Sequence, residues 1–185
     1  MASQHSSHSH EPAHQHGSTA PAEHKARGPA SISCGIITCS DTRTPETDKS
    51  GQLIRKFLAK EGHGVDAYHV VKDEPADVQQ LVQELGKNAA LGAIIINGGT
   101  GISQRDSTFE AVDGLLEKRL VGFGEIFRYL SYKDIGSPAI LSRATAGLYQ
   151  GKVIFSIPGS SGAVRLAMEA LIIPELPHIV GEMQK

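Results

Sequence analysis

Between residues 91 and 109 the chain runs LGAIIINGGTGISQRDSTF, an apolar run that empties into a glycine loop closed by one carboxylate. Ile94, Ile95 and Ile96 are consecutive, β-branched and uncharged, the pattern of a strand covered on both faces in a parallel sheet. Asn97, Gly98, Gly99, Thr100 and Gly101 follow at the carboxyl end of that strand, where backbone amides without Cβ atoms can approach an anion closely. Asp106 closes the loop. Ser107 and Glu110 stand at capping-box spacing, which predicts a helix opening beside the loop with its positive end toward the same space. Taken alone, Gly-Gly-Thr-Gly reads equally well as a tight strand-to-helix turn. Strand, loop, Asp106 and capped helix together describe a phosphate site at a switch point of the sheet. Two standard nucleotide motifs are excluded: no Lys follows Gly101 as a P-loop requires, and Gln104 stands where a dinucleotide fingerprint needs its third glycine.

The flanking segments predict how that strand is housed. Ile32, Cys34, Ile36 and Ile37 mark a strand over residues 31–38, ending in Ser40 and Asp41. Thr47 or Asp48 then caps a helix carrying Leu53, Ile54, Phe57 and Leu58 at helical spacing, with Gly62 ending it. On the residues alone, Asp48 reads as that N-cap. A second strand spans residues 65–71, and Pro75 opens a helix with Val78, Leu81, Val82 and Leu85 inward. Beyond the loop, Phe109, Val112, Leu115 and Leu116 face one helix inward. Phe123, Ile126, Phe127 and Leu130, with Tyr129 and Tyr132, form another that is either core or a subunit contact. Glu125 and Arg128 share a face of it, as a solvated ion pair would. After a polar segment with Ser142, Arg143 and Thr145, the last strand covers residues 153–157. It passes through Pro158, Gly159, Ser160 and Ser161 into a helix carrying Val164, Ala167, Met168, Leu171 and Ile172. That is a second loop whose amides leave the carboxyl edge of the sheet, although capping alone also explains its serines. Strand and helix alternate with short connections, which predicts a three-layer α/β domain: a mainly parallel sheet flanked by helices, joined by right-handed crossovers.

With 185 residues and a formal net charge of -2, the chain has room for one domain and no basic block for nucleic acid. Its two cysteines, Cys34 and Cys39, form no Cys-x-x-Cys motif and read as buried thiols of a reducing, cytoplasmic environment. No apolar run reaches membrane length, and no secretory signal opens the chain. Residues 1–29 are rich in Ser, His, Pro, Ala and Gly without apolar periodicity and are expected to be a disordered tail, leaving residues 30–185 as the domain. Six of the nine histidines lie in that tail; His5, His8, His10, His14, His16 and His24 are a weak metal-binding tract at most.

The stretch from Ile94 to Asp106, aliphatics followed by Gly-Gly-Thr-Gly, four residues and Asp, resembles the signature of the MoaB/MogA family of molybdenum cofactor biosynthesis proteins. The resemblance extends over roughly residues 31–183. It includes Ser40-Asp41, Asp48-Lys49-Ser50-Gly51, Gly122-Phe123-Gly124-Glu125, Ser142-Arg143-Ala144 and Pro158-Gly159-Ser160. Asn97 departs from it, since many relatives carry Ser or Thr there. The resemblance implies a molybdopterin adenylyltransferase with ATP as co-substrate and Mg²⁺ as cofactor, or a catalytically silent molybdopterin-binding relative. It implies Asp48 and Asp106 as catalytic carboxylates, with Mg²⁺ held by one or both, and Ser40 and Asp41 on the nucleotide side. Gly98, Gly99, Thr100, Gly101, Glu125, Pro158, Gly159, Ser160 and Ser161 would bind substrate. A homotrimer or homohexamer is implied, with other proteins of the pathway as further partners. A nucleotide-binding regulatory domain with a metal-sensing tail is the reading that does not lean on the resemblance.

Overall fold

The computed structural model describes residues 28–104 and 106–185; the histidine tract lies outside them. Six strands form one sheet: β1 (Ser33–Cys39), β2 (Gly64–Val71), β3 (Ala93–Asn97), β4 (Lys118–Arg119), β5 (Thr145–Tyr149) and β6 (Lys152–Ile157). Their order is β2-β1-β3-β6-β5-β4. The first four run parallel, while β5 is antiparallel to β6 and β4 to β5. The predicted mainly parallel α/β architecture is thus present, with an antiparallel edge that the sequence reading assigned to polar loop.

That edge has a local cause. Gln150 and Gly151 both take positive φ, 47° and 71°, and join Tyr149 directly to Lys152. Two such residues match the twist of antiparallel strands. Gln-Gly is a weaker signal than Asn-Gly, and Gly147 within β5 breaks the β-branched pattern by which strands are recognised.

The side-chain period of two explains the layers. From β1 and β3, Ile36 and Ile95 turn to one face with Phe155 of β6, whereas Ile37, Ile94 and Ile96 turn to the other. The first face is covered by α1 (Lys49–Lys60), α4 (Val121–Ile135), α5 (Ser161–Ala167) and α6 (Ile173–Met183), through Ile54, Leu58, Phe127, Val164 and Leu176. The second is covered by α2 (Pro75–Gly86) and the short α3 (Thr108–Asp113), through Val78, Val82, Leu85 and Val112. Between α5 and α6 the helix widens to π geometry over Met168–Ile172, where the Ile173 amide reaches back to Met168 O. Pro174 supplies no amide to continue the α ladder, which accounts for the local change of spacing. No helix among the described residues is long and apolar enough to cross a membrane.

Cys34 and Cys39 sit at opposite ends of β1, free and buried. Burial pushes each thiol up to about 12.

Candidate functional site

β1 leads to β2 on one side of the sheet, and its other neighbour is β3, so the topology switches between them at the carboxyl edge. A crevice is expected at such a point. Three loops converge there. Gly98 has φ 101°, and a Cβ on it would collide with Cys39 O at the end of β1. Its amide donates to Ile157 O of β6 at 3.1 Å. A Cβ on Gly159 would lie 3.0 Å from Gly98 Cα, so the loops after β3 and β6 touch backbone to backbone. Gly99 has φ 59° and faces Thr108 and the Asp73 carboxylate with no room for a side chain.

Asp48 lies on the β1 side of this crevice with zero exposure. One oxygen accepts from Thr38 Oγ1 at 2.5 Å and from Tyr68 OH at 2.7 Å. The other accepts from Ser50 Oγ at 2.9 Å, from the Gly51 amide at 3.0 Å and from Arg43 Nη1 at 3.4 Å. Burial raises its pKa, but the bonds from Thr38, Gly51, Tyr68 and Ser50 outweigh it and hold the carboxyl below the usual range. Burial, added to by the hydrogen bond to Asp48 and its charge, drives the Tyr68 phenol up to about 12. Asp48 is therefore an N-cap whose oxygens are surrounded by protein donors, a poor candidate for a direct metal ligand.

Thr38 also orients Asn97. Its hydroxyl donates to Asp48, so it accepts from Asn97 Nδ2 at 2.8 Å, and Ile37 O accepts from the same nitrogen at 3.3 Å. This fixes the amide with Oδ1 pointing away, buried and without a donor among the described residues.

Asp106 folds back into its own loop, accepting from the Ser103 hydroxyl at 2.5 Å and the Ser103 amide at 3.1 Å. The Ser103 hydroxyl lowers its pKa, burial opposes, and the amides of Ser103 and Gly101 and the charge of Arg143 lower it further. Arg143 grips the loop from behind, with Nε on Thr100 O at 2.9 Å and Nη2 on Gly101 O and on Asp106 O. Because carbonyl and amide point oppositely across a trans peptide, turning those carbonyls toward Arg143 directs the Gly101 amide to the Asp106 side.

The predicted capping box does not form. Ser107 makes no side-chain cap, and Glu110 pairs instead with Arg143, whose guanidinium also stacks 5.0 Å from the Phe109 ring centroid. A two-point salt link to a cation outcompetes a local bond that would bend the chain back over a helix of six residues.

Ser40 Oγ accepts from the Arg43 amide at 3.3 Å, and Asp41 Oδ1 accepts from the Asp73 amide at 3.3 Å, tying the loop after β1 to that after β2. Ser160 caps α5 through the Ala163 amide at 3.2 Å, next to Pro158, Gly159 and Ser161. Glu125 stands apart from the loops, exposed on α4 without a hydrogen bond to them; its neighbour Gly124 abuts Ala144 O, next to Arg143. Arg43 and Asp73 were missed by the sequence reading because each sits in a short polar connection without period or motif. Hollows of about 460 Å³ beside Leu120 and His178 and of about 480 Å³ beside Tyr129 and Ile140 open on neither glycine loop. Among the described residues no three His, Cys, Asp or Glu side chains converge as a metal cluster. Mg²⁺ held by one carboxylate and substrate phosphates does not require one.

Residues 35–178 match the family described as "Probable molybdopterin binding domain". The chain is 56% identical over 164 residues to molybdenum cofactor biosynthesis protein B of Bacillus subtilis, covering 88% of this chain and 96% of that protein. A crystal structure of a molybdenum cofactor biosynthesis protein B is 54% identical and superposes with a TM-score of 0.82, covering 84% of this chain and 98% of the other. The tungsten cofactor synthesizing protein MoaB from Pyrococcus furiosus is 37% identical with a TM-score of 0.76, covering 85% and 99%. With most of its length matched on both counts, the chain belongs to the MoaB/MogA family of molybdenum cofactor biosynthesis proteins.

Proposed function

We infer that this protein acts in molybdenum cofactor biosynthesis by binding molybdopterin in the crevice and transferring AMP to it from Mg-ATP. The observation that carries the reading is the contact of two glycine loops at the switch point, Gly159 against Gly98. In the transfer, a terminal phosphate oxygen of molybdopterin attacks the α-phosphorus of ATP, a new P–O bond forms, and pyrophosphate leaves with the electrons of the broken one. Such chemistry asks the protein for alignment and charge neutralisation rather than covalent participation. Among the described residues, no hydrogen bond engages the amides of Gly99 and Thr100, which leaves them for the substrate together with those of Gly159 and Ser161. Ser40 and Asp41 line the nucleotide side and Pro158 and Ser160 the pterin side, which Glu125 would reach from α4 outside the loops. Asp106, partly exposed, is the carboxylate that fits Mg²⁺, which when bound would neutralise charge on the ATP phosphates. Asp48 acts by holding Arg43 and the start of α1 in place.

Incubation with molybdopterin, Mg²⁺ and labelled ATP tests this directly: label is expected on the pterin product. Pterin binding without label transfer would establish the second reading, a silent binding protein. That reading is favoured by one observation: Asp48 and Asp106 both accept hydrogen bonds from their own protein.

The protein is further proposed to form a homotrimer or homohexamer through α4 and the 3-10 turn that follows it. Val121, Tyr129, Tyr132, Ile135, Ile140 and Leu141 are all more than half exposed there, Ile140 at 83%, an apolar face that monomers rarely leave uncovered. Sedimentation of a monomer at micromolar concentration would refute it.

A further inference from the structure

Two arginines border the crevice, and their hydrogen bonds differ in a way that separates their roles. An arginine side chain has five N–H donors in a fixed planar fork. In Arg143 the Nε hydrogen is taken up by Thr100 O, one Nη1 hydrogen by Glu110, and both Nη2 hydrogens are shared among Gly101 O, Asp106 O and the second Glu110 oxygen, so its Nε and Nη2 edge is fully occupied. Arg143 is a positioning residue.

Arg43 is differently placed. Its Nη1 donates to Asp48 Oδ1 at 3.4 Å and to Ser50 Oγ, and its Nη2 to Gly159 O at 3.4 Å. It thus bridges the start of α1 to the loop after β6, at the residue that touches Gly98. Nε and one Nη2 hydrogen have no partner among the described residues, and the side chain is 36% exposed. Asp48 neutralises part of its charge without occupying the outward edge of the fork. A planar edge with two parallel donors matches two oxygens of one phosphate.

We propose that Arg43 is the residue that reads the anionic group of the ligand, binding a phosphate or diphosphate ester by its Nε and Nη2 edge, while Arg143 never touches ligand. The proposal rests on the reading of the crevice as a phosphate-ester site. It also gives Asp48 its purpose at the site: a buried carboxylate that aims a guanidinium across the gap between two loops.

Calorimetric titration of the full chain with ATP and, separately, with inorganic pyrophosphate tests it. Wild-type protein is expected to bind at least one of them, and R43Q to bind it roughly tenfold to a hundredfold more weakly, as loss of charge-assisted hydrogen bonds implies. R43K, which keeps charge but loses the fork, is expected to lie between them. Because R43Q leaves Asp48 without its cation, thermal melting is followed alongside. The double variant R43Q/D48N, in which neither charge remains, is expected to stay as weak as R43Q in binding. Equal affinity of R43Q and wild type would overturn the proposal and make Arg43 only the counter-ion of Asp48. If wild type binds neither probe, the phosphate-ester reading of the crevice falls, and the role of Arg43 with it.

Discussion

Replacing Asp48 by alanine removes one carboxylate and strands several donors at once. The Gly51 amide loses its cap, about 1 kcal/mol. The hydroxyls of Thr38 and Tyr68, at 2.5 and 2.7 Å from one oxygen, lose charge-assisted bonds of about 1.5–3 kcal/mol each. These terms overlap, since Tyr68 can turn its hydroxyl to solvent and Thr38 can rotate. Arg43, more than a third exposed, adds little once screened. The expected cost of Asp48→Ala is therefore about 3–5 kcal/mol, a large share of a domain's stability. Asp48→Asn should cost less, about 1–2 kcal/mol, the price of one charge-assisted bond made neutral. Its NH₂ can face the two hydroxyls, which reverse to accept, whereas the Gly51 amide and Arg43 only donate and keep the remaining oxygen. Urea unfolding of the three proteins, compared at constant m-value, measures both differences. If Asp48→Ala costs under 1 kcal/mol, or if Asn costs as much as Ala, the donor-surrounded carboxylate described here is wrong.

The same group sets a pH dependence. The folded-state pKa of Asp48 is depressed, so its stabilisation is fully present above the unfolded value of about 3.9 and is lost as pH falls through the folded one. Wild-type melting temperature should fall below about pH 4 more steeply than that of Asp48→Asn; parallel curves would contradict it. Asp106→Asn should lower adenylyl transfer about a hundredfold to a thousandfold while molybdopterin titrations change little; full transfer with earlier melting would make Asp106 a loop staple only. Gly99→Val should weaken molybdopterin binding and also lower the melting temperature, because its Cβ meets Thr108 and Asp73 before any ligand. Removal of residues 1–28 should leave melting and transfer unchanged, and a loss of several degrees or of activity would show the tail to be integral.

The layers of the fold were legible because Ile94, Ile95 and Ile96 admit little besides a buried central strand, and because helices such as α1 repeat their apolar residues at helical spacing. β4 and β5 were not legible: two residues carry no period, and the turn between β5 and β6 draws its geometry from a Gln at positive φ that few sequence patterns anticipate. At the site, the glycine loops announced themselves by composition. Their partners did not, since Arg43, Asp73 and Tyr68 reach the crevice only through the parallel pairing of β1 with β2 and the return of β6 beside β3. Reading Asp48 as an N-cap from the residues alone matched its geometry; nothing in the sequence showed how many other donors would converge on it.

The two cysteines give this molecule a pair of internal clocks. Cys34 and Cys39 bracket a single strand, Cys34 at the base of the sheet and Cys39 beneath the glycine loop, with its carbonyl against Gly98. Neither thiol ionises appreciably while buried, so an alkylating reagent reaches each only during an opening, and its rate counts how often that end of β1 comes apart. Equal rates mean the strand is released as one unit with the whole domain. A faster Cys39 that slows when the crevice fills would show the upper end loosening on its own, and would time the motion by which a ligand enters.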